Sequence, residues 1–297
     1  MDLRQLEIFT KVAELASFSR AAEALHLTQP TVSEHIRALE DELGVRLLDR
    51  LGRGAGVTRA GQLLLSYAAR MLTLAREARQ AMDAFQGRMS GDLVVGGSTI
   101  PGEYILPAIL GRFKEKFPDI STTLLIGDSQ GVTDWVAEGR VEVAVVGARL
   151  PRRGLEFREL LPDEEVVVAP AGHPWTGRVE ITLAELAREP LLIREAGSGT
   201  RAALEAALER AGVDLGALRV VGEMGSSQAV KQAVKAGMGI TILSRRAVEE
   251  ECRAGWLICL QVKDLAITRA FHVVTHKDRI RSPVAEAFRI FLEANPG

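Results

Sequence analysis

The stretch FSRAAEALHLTQPTVSEHIRALE, residues 18–40, organises the first part of the chain. Ser17 or Ser19 can cap a short helix whose Ala21, Ala22 and Leu25 are small enough for close packing. His26-Leu27 makes a turn. Thr28 is placed to cap the next helix, and Pro30 falls in its first turn, where a missing N–H costs nothing. Val32, Ile36, Leu39 and Leu43 recur at helical spacing and predict the buried stripe, with Gly44 as the C-cap. The opposite face carries Pro30, Thr31, Ser33, Glu34 and Arg37, with Gln29 and His35 near its edges. Upstream, Leu3, Leu6, Phe9, Val12, Ala13 and Ala16 predict a first helix with one apolar stripe.

Three short helices with a polar outer face fit a small interaction domain, and more specifically a DNA reader. Short hydrogen-bonding side chains in the first turn of the third helix suit base edges in a major groove and the phosphates beside it. The following segment VRLLDRLGRGAGVTRAG predicts two short strands, Val45 to Leu48 and Val57-Thr58, around a loop with Arg50, Arg53 and Arg59. That is a basic wing, useful for phosphate or minor-groove contact. The DNA-binding candidates are therefore Gln29, Pro30, Thr31, Ser33, Glu34, His35, Arg37, Arg50 and Arg53.

Residues 59–88 read as one long helix. Ala60, Leu64, Tyr67, Met71, Leu74, Ala78, Ala81 and Phe85 alternate by fours and threes, an unbroken heptad seam. A helix packed only on its own domain shows a wider, less regular stripe. Leu64, Tyr67, Met71, Leu74, Ala78 and Phe85 are the dimerisation candidates. A dimer fixes the separation of two recognition helices, so the DNA site is expected to be a pseudo-palindrome.

GRMSG at 87–91 marks a boundary. Beyond it strands alternate with helices: LVVGG, EYILPAILGRFKEKF, ISTTLLIG, VTDWVAEG and VEVAVVG form one parallel α/β unit. EEVVVAP, TLAELAR, LLIRE, TRAALEAALERAG, RVVGE, SSQAVKQAVKAG, ITIL and WLICLQV form a second, and AFHVVTH with PVAEAFRIFLE closes the chain. Two such units imply two lobes and a cleft between them, where small ligands bind at strand ends and helix N-termini. At 297 residues, with 47% apolar and 26% charged residues, the chain can hold two or three cored domains. Its net charge of −2 carries no global signature of a nucleic-acid binder. Residues 1–88 hold 12 Lys and Arg against 11 Asp and Glu, so basic surface must arise locally. Cys252 and Cys259 have no zinc-ligand spacing and are expected as buried apolar thiols of a reducing compartment. No leader pattern and no membrane-length apolar run is present, which predicts a cytoplasmic protein without a membrane partner.

This order of parts resembles the LysR-type transcriptional regulators over the whole chain, most specifically in LRQLEIFTKVAELASFSRAAEALHLTQPTVSEHIRALEDELGVRLLDR followed by TRAGQLLL. The resemblance implies a winged helix-turn-helix DNA-binding domain at 1–58, a linker and dimerisation helix at 59–90 and an effector-binding domain at 91–297. The last is an α/β domain of two lobes with a type 2 periplasmic-binding-protein-like fold. One lobe would hold 92–161 and 267–297, the other 162–266. Many family members have a basic or neutral residue where Glu34 stands. Here Glu34 is expected either to read a base or to pair with Arg37.

The resemblance also places an effector between the lobes. The matching segments are GGSTIPGE (96–103), GDSQG (127–131), REAGSGTR (194–201) and GSSQAVKQ (225–232), each following a strand and opening a helix. They nominate Ser98, Thr99, Ser198, Gly199, Thr200, Ser226 and Ser227, with Arg149 as a counter-charge and Arg201 as another or as a brace of its turn. Hydroxyls and helix N-termini facing one cleft select for a small anion. REAGSGTR with GSSQAVKQAVKAGMGITILSRRAV looks like the branch that responds to sulfur-related or other small oxyanions. The implied partners are double-stranded promoter DNA, a small-molecule effector and the chain itself as homodimer or homotetramer, with RNA polymerase as a further one. No cofactor or metal is implied. The other reading is a dimeric DNA-binding regulator without an effector. Catalysis has little support: the five histidines are scattered, and no HExxH, GxSxG or phosphate-loop motif occurs.

Overall fold

The computed structural model describes residues 1–51, 54–85, 89–263 and 265–296. The chain divides into two compact units, one holding Met1–Gly87 and the other most of the remainder.

In the first unit, Asp2 and Gln5 form a capping box on α1 (Leu3–Leu15), and Ser17 rather than Ser19 caps α2 (Phe18–Ala24). His26 takes φ 54°, an unusual left-handed turn for a residue with a side chain. Thr28 caps α3 (Gln29–Leu43), Pro30 sits in its first turn, and Gly44 at φ 67° ends it. Val32, Ile36 and Leu39 are buried against Ile8, Phe9, Val12, Ala21 and Ala22. Leu3 and Leu43, expected in the buried stripes, are 44% and 40% exposed, because each lies at a helix end beyond the packed region. The wing is displaced from its expected position: β1 (Leu48–Leu51) pairs antiparallel with β2 (Gly54–Val57). Glu40 is the reason it starts late. Its Oε1 accepts from the Leu47 and Leu48 amides, at 2.7 and 3.1 Å, and pins the chain between α3 and β1.

The long helix α4 (Arg59–Phe85) begins against that hairpin. A Cβ on Gly61 would stand 2.2 Å from the Leu47 carbonyl oxygen. Ala60, Leu64 and Leu65 pack on the domain's own core, and Leu64 keeps only part of its surface exposed. The exposed stripe is instead Leu63, Tyr67, Met71, Leu74 and Met82, with Ala78 between. The Phe85 side chain lies outside the described residues.

In the second unit, β3 (Gly91–Ser98) leads through a π-turn (Pro101–Ile105) into α5 (Leu106–Lys116). β4 (Ile120–Gly127), α6 (Ser129–Glu138) and β5 (Val143–Val146) follow. β6 (Leu155–Pro170) is one strand of 16 residues. Next come β7 (Glu180–Ile181), α7 (Leu183–Leu186), β8 (Leu191–Arg194), α8 (Gly199–Arg210), β9 (Val220–Met224), α9 (Ser227–Lys235), β10 (Ile240–Ser244), α10 (Arg245–Arg253) and β11 (Leu257–Val262). β12 (Thr268–His276) and α11 (Pro283–Ala294) close the chain.

One lobe has strand order β4-β3-β5-β12-β6, covered on one side by α5 and α11, where Phe113 meets Phe288 edge-on at 5.2 Å. The other has β6 between β10 and β11, with β8 and β9 beyond β10. β6 belongs to both. Glu164 pairs with Thr268 in the first lobe, and the next residue, Glu165, pairs with Ser244 in the second. The chain returns to the first lobe between Val262 and Thr268. Three elements went unforeseen in the sequence: the first half of β6, whose alternation is broken by Pro162 and acidic residues, the two-residue β7, and α10, whose RRAVEEECR is mostly charged. The cysteines also differ from expectation. Cys252 and Cys259 are half-buried and joined in a disulfide between the end of α10 and β11.

Gly61→Ala should lower the stability of the N-terminal unit by about 1–3 kcal/mol through overpacking, although alanine is the better helix former. Thermal unfolding followed by circular dichroism checks it; an unchanged or raised midpoint would show that α4 does not rest on the hairpin in solution.

Candidate functional site

The nominated DNA-binding residues that the structure describes lie mostly on α3. Gln29, Pro30, Glu34 and Arg37 are exposed, and Thr31, Ser33 and His35 are partly so. The Gln29 amide donates to the Ser33 hydroxyl at 2.9 Å, and the Thr28 and Thr31 hydroxyls are 2.8 Å apart. The first turn is thus a preordered polar row. Arg37 lies 3.9 Å from Asp41, one turn on, rather than pairing with Glu34. Glu34 is left as an exposed acceptor on the reading face. Arg53 and the Arg50 side chain lie outside the described residues.

The cleft of the second unit is built at the ends of strands. β3 ends in Ser98 and Thr99, β4 leads through Asp128 to Ser129 at the start of α6, β8 ends in Arg194, and α8 opens with Ser198, Gly199 and Thr200. These residues, with Ile100 and Arg269, enclose about 10 Å³ of free space, close to one water site. The lobes touch there. A Cβ on Gly199 would stand 2.7 Å from the Gly147 carbonyl carbon and 2.8 Å from the Ser129 hydroxyl, so only glycine lets α8 approach β5 and α6.

Two arginines supply the positive charge. The Arg194 side chain is 2% exposed. It grips Glu195 through Nε and Nη2, both at 2.7 Å, donates from Nη1 to Ser227 at 2.7 Å, and reaches from Nη2 across the cleft to Thr99 at 3.2 Å. The Arg269 side chain, on β12, is 7% exposed. Its Nε donates to Asp163 at 2.9 Å and its Nη1 to Thr200 at 3.2 Å, with Glu165 Oε1 3.0 Å away. Its Nη2 is buried without a hydrogen-bond partner, as is the Ser129 hydroxyl. Burial pushes the Glu165 carboxyl up to about 8, and Arg269 offsets this only in part.

Of the nominated effector residues, Ser98, Thr99, Ser198, Gly199 and Thr200 come together. Ser98 accepts from the Gly147 amide at 3.0 Å, and Ser198 stands at the cap position of α8 with no side-chain cap bond. Ser227 is one step removed, holding Arg194. Ser226 does not line the cleft: its hydroxyl caps α9 through the Ala229 amide. Arg149 is also misplaced, because it is exposed on the turn after β5. Arg201 braces its turn through Glu205 and Glu223, both at 2.8 Å. The cleft cations are Arg194 and Arg269, neither of which the sequence nominated. Arg194 was in view within REAGSGTR, but a strand-end arginine points inward or outward depending on the pleat. Arg269 comes from a distant strand, and nothing local marks it. Among the described residues no group of His, Cys, Asp and Glu could hold a metal ion.

Residues 3–62 match the bacterial regulatory helix-turn-helix proteins of the lysR family, and residues 86–296 match the LysR substrate binding domain. The chain belongs to the LysR family of regulators. It resembles a probable RuBisCO transcriptional regulator of Trichormus variabilis, 34% identical over 96% of this chain and 86% of the relative. It also resembles the HTH-type transcriptional regulator CbbR of Rhodospirillum rubrum, 36% identical over 98% and 96%. Among solved structures, the Synechocystis PCC6803 CcmR regulatory domain in complex with 2-PG aligns with a TM-score of 0.63 and 29% identity, over 69% of this chain and 97% of that one. The LysR protein is a ligand-responsive, DNA-binding transcriptional regulator and not an enzyme. Its two family matches give it a DNA-binding part and a substrate-binding part. No described helix is long and apolar enough to cross a membrane.

Arg269→Met should cost about 3–5 kcal/mol, because it strands two buried carboxyls. Arg269 offsets part of the upward push of burial on Glu165, so its removal raises that carboxyl further and the loss should grow as pH rises. Adding Asp163→Asn should recover much of it. Denaturant unfolding of the variants at several pH values checks this, and a pH-independent loss would place the cost in packing instead.

Proposed function

We propose that the cleft between the β6-linked lobes takes a small oxyanion, and that its occupancy sets how the protein holds promoter DNA. The observation that carries this is the pairing of two buried guanidiniums with unsatisfied donors, Arg269 Nη2 and the Ser129 hydroxyl, among the opening turns of α6 and α8. Unsatisfied buried donors are costly, and an anion's oxygens satisfy them. The free space is small, so a ligand must take over bonds that now close the cleft: Arg194 to Thr99 and Arg269 to Thr200. Exchanging lobe-to-lobe bonds for lobe-to-ligand bonds changes the closure equilibrium. The complex of the related regulatory domain with 2-PG supports a small ligand in this domain.

The chain acts in the cytoplasm. Pairs form through the exposed stripe of α4 and assemble into a tetramer whose spacing of α3 helices, and hence DNA bend, follows effector binding. At the promoter it meets RNA polymerase. The likeness to RuBisCO regulators supports genes of carbon fixation as targets, and the oxyanion panel includes sulfate, sulfite and thiosulfate beside phosphorylated acids.

The test is a footprint of the full-length protein on the promoter upstream of its neighbouring genes, with and without each anion. One anion should shift the protected boundary or remove a hypersensitive site. Thr200→Ala should weaken that response at least about tenfold, as expected for losing a bond to a charged group. A footprint indifferent to every anion would favour a regulator without an effector.

A further inference from the structure

Asp163 and Glu165 lie two residues apart on β6, so they point to the same face of the strand, and Arg269 on β12 meets both. The Asp163 side chain is 1% exposed and that of Glu165 is fully buried. Asp163 is well held: one oxygen accepts from Arg269 Nε and the other from the Ser244 hydroxyl on β10 at 2.7 Å. Neither oxygen of Glu165 has a well-formed hydrogen bond. The other charges nearby are already matched. Arg194 on β8 is bound at two points by Glu195. Arg246 on α10 reaches only to 4.0 Å from Asp163 and is half-exposed. Glu164 faces the other way, toward Arg245 and Gln261.

Arg269 is therefore one guanidinium shared by two buried carboxyls, with Asp163 already balancing its charge. Its unpartnered Nη2 is the donor that the cleft offers to an anion. An anion arriving there would place three negative groups around one guanidinium in a dry site, where such repulsion is large. A proton on Glu165 removes one of the three. We propose that Glu165 is a proton gate on the effector cleft: the anion binds the protein whose Glu165 is protonated and is released when that proton leaves. This rests on the reading of the cleft as an oxyanion site and adds a regulation to it. Glu165 acts through Arg269 as a positioning and charge-balancing residue. Its unusual protonation fits the role, since burial has pushed it up to about 8. The sign follows: anion affinity is full below that pH and falls above it. An alkaline shift thus empties the cleft even at constant effector concentration.

Isothermal titration calorimetry of the full chain with sulfate tests this, because sulfate keeps its charge throughout the range used. At constant ionic strength, from about pH 6 to about pH 10, the sulfate dissociation constant should be flat at first and then rise about tenfold per pH unit above the Glu165 pKa. Glu165→Gln should keep the neutral-pH affinity and lose most of the rise. Buffers of different ionisation enthalpy should show close to one proton taken up per sulfate by the wild type at about pH 9, and far less by the variant. The same pH profile in both proteins, or no proton uptake by the wild type in alkaline buffer, would overturn the gate while leaving the oxyanion cleft standing. No heat of sulfate binding at any pH, together with no thermal stabilisation by sulfate, would overturn the oxyanion cleft and the gate with it.

Discussion

The regulatory domain hangs on one strand. β6 runs through both lobes, and it changes partners between Glu164 and Glu165. A strand cannot switch sheets without bringing its side chains into the seam between them. The sequence there is Pro162-Asp163-Glu164-Glu165, so the seam receives two carboxyls on its inner face. Those carboxyls require a cation, and Arg269 provides it from β12 immediately after the chain has crossed back. The buried ion cluster is thus a consequence of the topology. It marks the hinge, and it lies beside the cleft because both are made by the same crossing.

The sequence revealed the fold in proportion to how local its determinants are. α1 to α3 were readable because caps, turn residues and a 3.6-residue apolar period all act within a few positions, and here they agree. Ser98, Thr99 and Thr200 were readable because each is a hydroxyl between a strand and a helix. What escaped depends on distant partners. Arg269 is an ordinary strand arginine until β12 is laid beside β6. Arg149 looked like the better counter-charge because it follows β5 directly, yet the turn carries it out to solvent. Leu63 and Leu64 are both on α4, and only the position of α1 and the wing decides which faces the domain's core. Leu64 turns toward that core and Leu63 toward solvent.

The N-terminal unit shows a related economy. Glu40 sits on the reading helix but spends its carboxylate on the Leu47 and Leu48 amides, so the wing's position is coupled to α3. Gly61 lets α4 begin directly on the Leu47 carbonyl. The recognition helix, the hairpin and the long helix are therefore joined by contacts that tolerate little sliding. Moving the C-terminal part of α4 relative to a second copy then moves α3 as a rigid attachment. That is the mechanical condition which the proposed change of subunit spacing requires. Glu34, exposed on α3, subtracts positive charge from the face nominated for DNA.

A sensor must be able to leave its empty state. A cleft whose donors were all satisfied by protein groups would be stable closed and indifferent to ligand, because any bond made to an effector would replace one of equal worth. Bonds from Arg194 to Thr99 and from Arg269 to Thr200 close this cleft, with Lys231 donating to Tyr104 between the same lobes at 3.2 Å, while one guanidinium nitrogen and one serine hydroxyl stay unsatisfied within it. An anionic ligand sets charge against charge in their place and also meets the unsatisfied Arg269 Nη2 and Ser129 hydroxyl, so it offers more than the two hydroxyls it replaces. The closed state is thereby held strongly enough to be defined and weakly enough to be displaced. The ligand's gain is also spread over both lobes, because Thr99, Ser129 and Arg269 stand on one side of the crossing and Thr200 and Arg194 on the other. A ligand with differential contacts to both sides shifts the closure equilibrium, whereas one that touched a single lobe would bind without being reported.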